Sequence, residues 1–240
     1  MRLLQYLLFF ITFTVSSQIE VTIDSIISVD ISSKKRAFSI NYHITNTTDR
    51  ELSFFLIPNT LIANSAGSLT LFPVYKIYQN GIFEDVDGPF YEKIYKEQEE
   101  IEETDDVEKR KKLIEEITKK YTLEYNNIIE AYKKNGGTNT DEAWIYKNQK
   151  LLQSIIILKP NETKNYIIKT NWNKERYYKI DDKEFYLNEN DKFEIELSLS
   201  LDKLNRKTSL SMEEYSKFEK DNNFLHGTFT SNKMEINFGE

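Results

Sequence analysis

The sequence contains no cysteine. That excludes disulfides, thiolate zinc sites, a cysteine nucleophile and a lipid-modified N-terminal cysteine. The fold must therefore be held by its core, and 240 residues are enough to bury one. Glycine is sparse at seven and proline at four, and no glycine loop suited to cradling phosphate occurs. There are two histidines, His43 and His226, with no short-spaced His pair and no His-Glu motif. No metal site and no cofactor are expected from such a set, and structural or surface roles are expected for both. G-x-S-x-G is missing, as is an S-x-x-K followed by its partner motifs, so no catalytic residue can be nominated. A basic stripe is missing too. The chain carries −7 overall, which argues against nucleic acid and against an anionic membrane surface as partner.

What is present first is an N-terminal address. Met1-Arg2 is positive, Leu3 to Val15 is an apolar run, and Val15-Ser16-Ser17 offers small residues before Gln18. This is the three-part pattern of a signal peptide over residues 1–17. The run is shorter than the roughly 20 residues a spanning helix needs. Cleavage after Ser17 is expected, with no stable membrane insertion afterwards and with export to the periplasm or beyond. Without its leader the chain has 31 basic and 39 acidic residues, a net −8.

Residues 18–240 read as one mainly β domain. Ile19, Val21 and Ile23 alternate with polar residues, and the phase changes near Ser25, as a bulge or a switch between sheets would require. Ser32 to Arg36 makes a turn. From Ala37 to Pro58, AFSINYHITNTTDRELSFFLIP, the alternation of Phe38, Ile40, Tyr42 and Ile44 predicts a strand with one buried face. A polar turn and the apolar run Leu52 to Ile57 follow, predicting a second, antiparallel strand buried on both faces. Asn80-Gly81 marks a hairpin. Strands are expected again from Leu151 to Leu158, Tyr166 to Trp172, Phe185 to Leu187 and Phe193 to Leu201, with Gly227 to Phe238 closing the chain. Ser211-Met212-Glu213-Glu214 is a capping box that opens a short helix to about Lys220.

Residues 90–135 differ. Phe90 to Lys134 holds no glycine or proline, and Glu97 to Glu108 carries eight acids and no base. A shorter helix from about Phe90 to Glu103 is expected, then a long one from Asp105 to Lys134, capped by Thr104 or Asp105 and stopped by Asn135-Gly136-Gly137. Ile114, Ile117, Tyr121, Tyr125, Ile128 and Tyr132 give the long helix one apolar stripe. The stripe either covers a sheet or docks a partner. If Ile117, Tyr121 and Ile128 lie against a sheet, the docking reading fails. The acidic run lacks the ligand spacing and turn glycine of a calcium loop.

Strands with turns between them and helices gathered in one insertion suit an antiparallel sandwich better than a parallel α/β sheet. In Phe38 to Ile44 with Asn46-Thr47-Thr48-Asp49, in Leu158-Lys159-Pro160-Asn161-Glu162-Thr163, and in Gly227…Ser231-Asn232…Ile236, the chain resembles uncharacterised exported bacterial proteins with an immunoglobulin-like β-sandwich. The likeness covers most of the chain outside the helical insertion. It implies an antiparallel immunoglobulin-like sandwich with a two-helix insertion and one short C-terminal helix. It carries no functional residue across, because one fold hosts many functions.

The most site-like stretch is Trp172 to Ile180. Trp172, Arg176, Tyr177 and Tyr178 there, with Trp144 if it lies near, are candidates for stacking on a glycan or anchoring a protein. The alternative is that these rings pack in the core. Asn46-Thr47-Thr48 and Asn161-Glu162-Thr163 match the glycosylation sequon but read as turns in a bacterial protein. The function expected from all this is a non-catalytic binding or accessory protein of the bacterial cell envelope. A secreted hydrolase using carboxylates, and a subunit joined to an envelope complex through the helical insertion, are its alternatives.

Overall fold

A computed structural model describes residues 18–63, 71–84, 90, 101, 104–174, 178–180, 183–185, 191–201 and 204–239. The expected leader, most of the expected helix over 90–103, and two candidate site residues, Arg176 and Tyr177, lie outside the described residues. Within them the protein is mainly β, in open antiparallel and mixed sheets, with three α-helices of described bounds. No helix among the described residues is long and apolar enough to cross a membrane.

Strand β1 (Ile19–Ser32), β2 (Lys35–Asn46) and β8 (Thr163–Asn173) form one antiparallel sheet in the order β1-β2-β8. The inward positions of β2 are those the alternation predicted: Phe38, Ile40, Tyr42 and Ile44 are buried. The phase change in β1 is a bulge, since Ile23 pairs with Tyr42 and Ser25 with Asn41, leaving Asp24 as the extra residue. A second sheet is built on β11 (Phe193–Leu201) and β5 (Val74–Gln79). Strands β12 (Gly227–Thr230) and β13 (Met234–Ile236) share the outer edge of β11. On β5 lie β4 (Ile62–Ala63), in parallel, and β6 (Ile82–Glu84), through the Asn80-Gly81 turn. Asn80 and Gly81 both have positive φ, 50° and 82°, as a primed hairpin turn requires. Side chains from both sheets meet in one core that includes Tyr42, Ile168, Trp172, Leu197 and Phe238.

The expected pairing between the two strands of Ala37–Pro58 is not what forms. β3 (Leu52–Phe55) pairs with β7 (Ile155–Leu158), while β2 pairs with β1 and β8. The chain thus leaves one sheet after β2 and enters another at β3. The chain between β7 and β8 makes the reverse crossing beside it, and Asn46 fastens the two together. Its Nδ2 donates to the carbonyls of Arg50 (2.7 Å), Leu158 (3.1 Å) and Lys159 (2.9 Å), and its Oδ1 accepts from the Thr48 amide (2.9 Å) and hydroxyl (2.7 Å). The backbone N–H of Asn46 donates to Glu162 O at 2.9 Å, and that of Thr47 to Gln18 O at 3.1 Å. With its carboxamide buried and engaged, the Asn46 sequon presents no acceptor for a glycan in the folded chain. β3 is buried on both faces, as expected, because Phe54 enters the main core while Phe55 enters a second one with Leu151, Leu210 and Phe224.

The helices differ from expectation in their bounds. α1 (Val107–Lys134) is capped by Asp106, whose side chain accepts from the amides of Glu108 and Lys109. It ends as expected at Asn135-Gly136-Gly137, where Gly137 N–H donates to Tyr132 O and Gly136 N–H to Lys133 O. Those two bonds form a Schellman motif, and Gly136 supplies its positive φ of 84°. The strand expected from Leu151 begins later, because α2 (Glu142–Gln153) runs through Leu151 and Leu152. Ile145, Asn148 and Leu151 recur at helical spacing on its buried face, and burial of that stripe extends the helix to Gln153. Phe90 is not helical; it bridges Trp172 and lies in the main core. α3 (Met212–Lys220) has the predicted capping box. β9 (Tyr178–Ile180) and β10 (Lys183–Phe185) form a small hairpin.

Two polar locks give testable consequences. Asn46→Ala removes the donors that satisfy buried carbonyls, and a loss of about 3 kcal/mol is expected in urea unfolding; a loss below about 1 kcal/mol would contradict this role. The second lock closes the end of the β1–β2 hairpin. Buried Arg36 donates to both oxygens of Asp30, at 2.6 and 3.0 Å, and to the carbonyls of Asn237 and Gly239. The Arg36 hydrogen bond, with Lys174 at 3.2 Å adding to it, lowers the Asp30 carboxyl from 3.8 to about 2. Its stabilisation is present above the ordinary carboxylate range and lost as pH falls through about 2. Asp30→Asn is therefore expected to lower the urea midpoint at neutral pH, with the gap to wild type closing between pH 3.8 and about 2. A gap independent of pH over that window would refute the assignment.

Candidate functional site

Of the aromatic candidates, Trp172 and Trp144 have described side chains. Trp172 is 2% exposed, with its ring edge-on to Phe238 at 5.0 Å, and it offers no free face for stacking. Its Nε1 has no hydrogen-bond partner among the described residues. Tyr178 lies in the β9–β10 hairpin. Trp144 is half-buried in α2, and its Nε1 donates to Thr208 O at 3.1 Å. That bond is a fastening. With buried Asn148, whose Nδ2 donates to Ser209 O and to Glu214 Oε2, it binds α2 to the turn over 204–209 and to the first turn of α3.

The histidines are apart. His43 projects from the outer face of the β1-β2-β8 sheet, with Nδ1 2.8 and 3.0 Å from the oxygens of Asp24. The bulge that makes Asp24 the extra residue of β1 places that carboxylate beside the ring. His226 is exposed before β12. Among the described residues no group of three or more acids and histidines is placed to hold a metal ion.

A concave feature with room for a partner lies between α1 and α2. It is a groove of about 770 Å³, with Leu123, Ile128 and Ala131 of α1 on one side and Gln149 and Gln153 of α2 on the other. Two ion pairs tie the helices across it, Lys150–Glu124 and Lys133–Glu142, each at 2.7 Å, and the rings of Tyr125 and Tyr146 stack obliquely at 5.1 Å. α1 packs against α2, and no strand makes a comparable contact with it. Of its 28 residues Ile129 alone is buried; Ile117, Tyr121 and Ile128 are half-buried, and Leu123 is 59% exposed. Among the described residues no strand packs closely against the helix, and α2 joins it to the second core through Leu151 and Leu152.

Charge separates this pair from the rest. α1 has eight basic and five acidic residues, a net of +3, on a chain of −7. Lys119 and Lys120 line the groove opposite the glutamines, with Glu116 one turn earlier. Glu116 and Glu124 are the groove's two acids. Glu124 is engaged by Lys150 of α2 at 2.7 Å. Sequence reasoning found α1 and its stripe but not the groove. The second wall is α2, whose signals were Asp141 as N-cap and the spacing of Ile145, Asn148 and Leu151. A scan against protein-family models, a search of curated proteins and a search of solved structures each find no match to the chain.

Placing Trp172 in the scaffold has a measurable consequence. Trp172→Ala is expected to cost about 3–5 kcal/mol. Trp172→Phe keeps most of the buried ring and removes an unpaired N–H, so its cost is expected to stay within about 1 kcal/mol. Equal losses in urea unfolding would contradict this assignment.

Proposed function

We propose that the protein is an exported, non-catalytic binding or accessory component of the bacterial cell envelope that engages a protein partner through the groove between α1 and α2. The observation that carries this is a groove with an apolar side on a 28-residue helix against which no strand among the described residues packs closely. Apolar surface gathered in a groove and rimmed by polar residues marks an interaction site more often than an idle one. Half-buried residues at three- and four-residue spacing, with Leu123 at the mouth, match the groove in which an amphipathic helix docks. The charges of the groove lining balance, Lys119 and Lys120 against Glu116 and Glu124, so in this reading the apolar face of the partner carries the recognition. A protein partner is favoured over a glycan because the ring best placed by sequence to stack on sugar, Trp172, is in the core.

Export rests on the leader pattern of residues 1–17. The scaffold is proposed to be an immunoglobulin-like sandwich. Supporting this are the dominance of antiparallel pairing and the meeting of inward side chains from two sheets in one core. In this reading the β portion holds the helical pair out from the body, as a mount for the docking surface.

The test is site-specific. A photo-crosslinking side chain at position 123 is expected to capture a partner from envelope extract, and the same group at the exposed sheet position 169 is not. Leu123→Asp is expected to reduce capture about tenfold while leaving the circular dichroism spectrum unchanged, because Leu123 is exposed. Capture that is equal at both positions, or unaffected by Leu123→Asp, would overturn the proposal.

A further inference from the structure

The edge of β1 carries a second interaction surface. Among the described residues β1 pairs with β2 and with no other strand, so its far edge is a sheet edge. The first half of that edge is closed. Asn232, in the connection between β12 and β13, accepts from Ile23 N–H at 2.7 Å and donates to Ile23 O at 3.2 Å. A side-chain amide thus takes the place that a neighbouring strand would hold. Beyond the Asp24 bulge no such bond to the edge is present among the described residues. The six residues Ile27 to Ser32 are all exposed, and Ile27, Val29 and Ile31, at 56%, 62% and 59%, share one face. An open edge lined with β-branched residues is a template for another strand, and edges left unused are usually blunted by lysine or proline. Neither occurs between Ile26 and Ser32.

We propose that this edge pairs antiparallel with the same edge of a second copy, about a two-fold axis at Val29. The occupant follows from the pattern of the strand itself. A two-fold interface brings the same surface of each copy together, so residue i meets j and j meets i. Centred on Val29, the pairing sets Ile27 against the second copy's Ile31, Val29 against its Val29, and Ser28 against its Asp30. All three apolar residues then find apolar partners on one face. On the other face each Asp30 meets a serine hydroxyl, and its charge is already met by Arg36 and Lys174 of its own copy. The neighbouring registers are worse. An axis at Asp30 opposes two like charges, which destabilises a cross-strand pair. An axis at Ser28 leaves Ile31 opposite Ser25, and an axis at Ile27 sets Ile31 opposite Ile23, whose edge Asn232 occupies. The product is one continuous six-stranded sheet made of two three-stranded sheets.

The axis makes the test specific. In sedimentation equilibrium at micromolar concentration the purified protein is expected to show the mass of two chains. Val29→Lys and Val29→Asp each place like charges against one another at the axis, and each is expected to sediment as one chain, with dimerisation weakened about 100-fold or more. Mixed in equal amounts, the two variants are expected to restore the two-chain mass, because position 29 faces its counterpart alone. Should either charge at position 29 unfold the chain, a double variant replaces the pair. Ile27→Lys with Ile31→Asp keeps the dimer by pairing opposite charges across the axis, whereas Ile27→Lys with Ile31→Lys separates it. A single-chain wild type, charged variants that still dimerise, or a mixture that stays single-chain would each overturn the proposal.

Discussion

Asn46 is fully buried, and three stretches of chain are fastened at it: its own turn, through the carboxamide to Thr48 and Arg50; the end of β7 and the turn after it, through the carboxamide to Leu158 and Lys159 and the backbone N–H to Glu162; and Gln18, through the N–H of Thr47. Two crossings between sheets lie side by side there. The last rung of β2 with β8 is Thr45 opposite Thr163, and the first rung of β3 with β7 is Leu52 opposite Leu158. Without a bond between the crossings, the two ladders would share no register. One side chain therefore links how the β1-β2-β8 sheet is aligned to where β3 sits, and β3 in turn divides the main core from the helix-bound second core. A buried amide left half-satisfied costs free energy, so the arrangement tolerates few alternatives.

From this corner the molecule builds outward in order of decreasing burial. The main core takes its side chains from both sheets and is rich in rings packed edge-on, with Phe38, Phe90, Trp172 and Phe193 around or beside Phe238. Buried Tyr42 donates its hydroxyl to Pro58 O, and burial raises that hydroxyl far above its usual range; Tyr166, stacked on it and less buried, is raised to about 12. The second core is smaller and joins β3 to α2 and α3. α1 lies beyond it, with one buried residue and charged ties to α2. The features that suit binding, an apolar groove and a basic surface, sit on the least buried element, where docking needs least rearrangement of the core.

Much of the β framework was legible in the residues. Alternation identified the inward face of β2 and of β11, and the break in phase near Ser25 identified the bulge, because side-chain direction follows a period of two wherever one face is buried. The stop of α1 and the capping box of α3 were readable for a similar reason, since both are local, set by bonds that span three or four residues, whereas the cap of α1 is Asp106 rather than the expected Thr104 or Asp105. What escaped was non-local. Asn46-Thr47-Thr48 and Pro160-Asn161-Glu162 read as turns, and turns they are, but nothing in the order of residues says that they touch. Ser231-Asn232 lies within the expected closing segment, and its side chains satisfy the N–H groups of Leu197 and Ile23 in two different strands. Trp172 and its neighbours stood out as a possible site because exposed and buried rings have the same sequence signature. Leu151-Leu152-Gln153 before Ser154 and the isoleucines was ambiguous between strand and helix, a short apolar run that tertiary packing decides. That one boundary concealed α2, and with it the second wall of the groove.

The protein divides into a β scaffold locked at Asn46 and a helix, α1, that shares little of its packing. Hydrogen exchange read by mass spectrometry tests this division most directly, because regions that open independently exchange at free energies below that of global unfolding. Amides of α1 are expected to exchange through openings well below the global value, while those of β2, β8 and β11 exchange together at the highest level. Protection of α1 equal to that of β2 would contradict the division, since the helix would then belong to the same cooperative unit as the sheets.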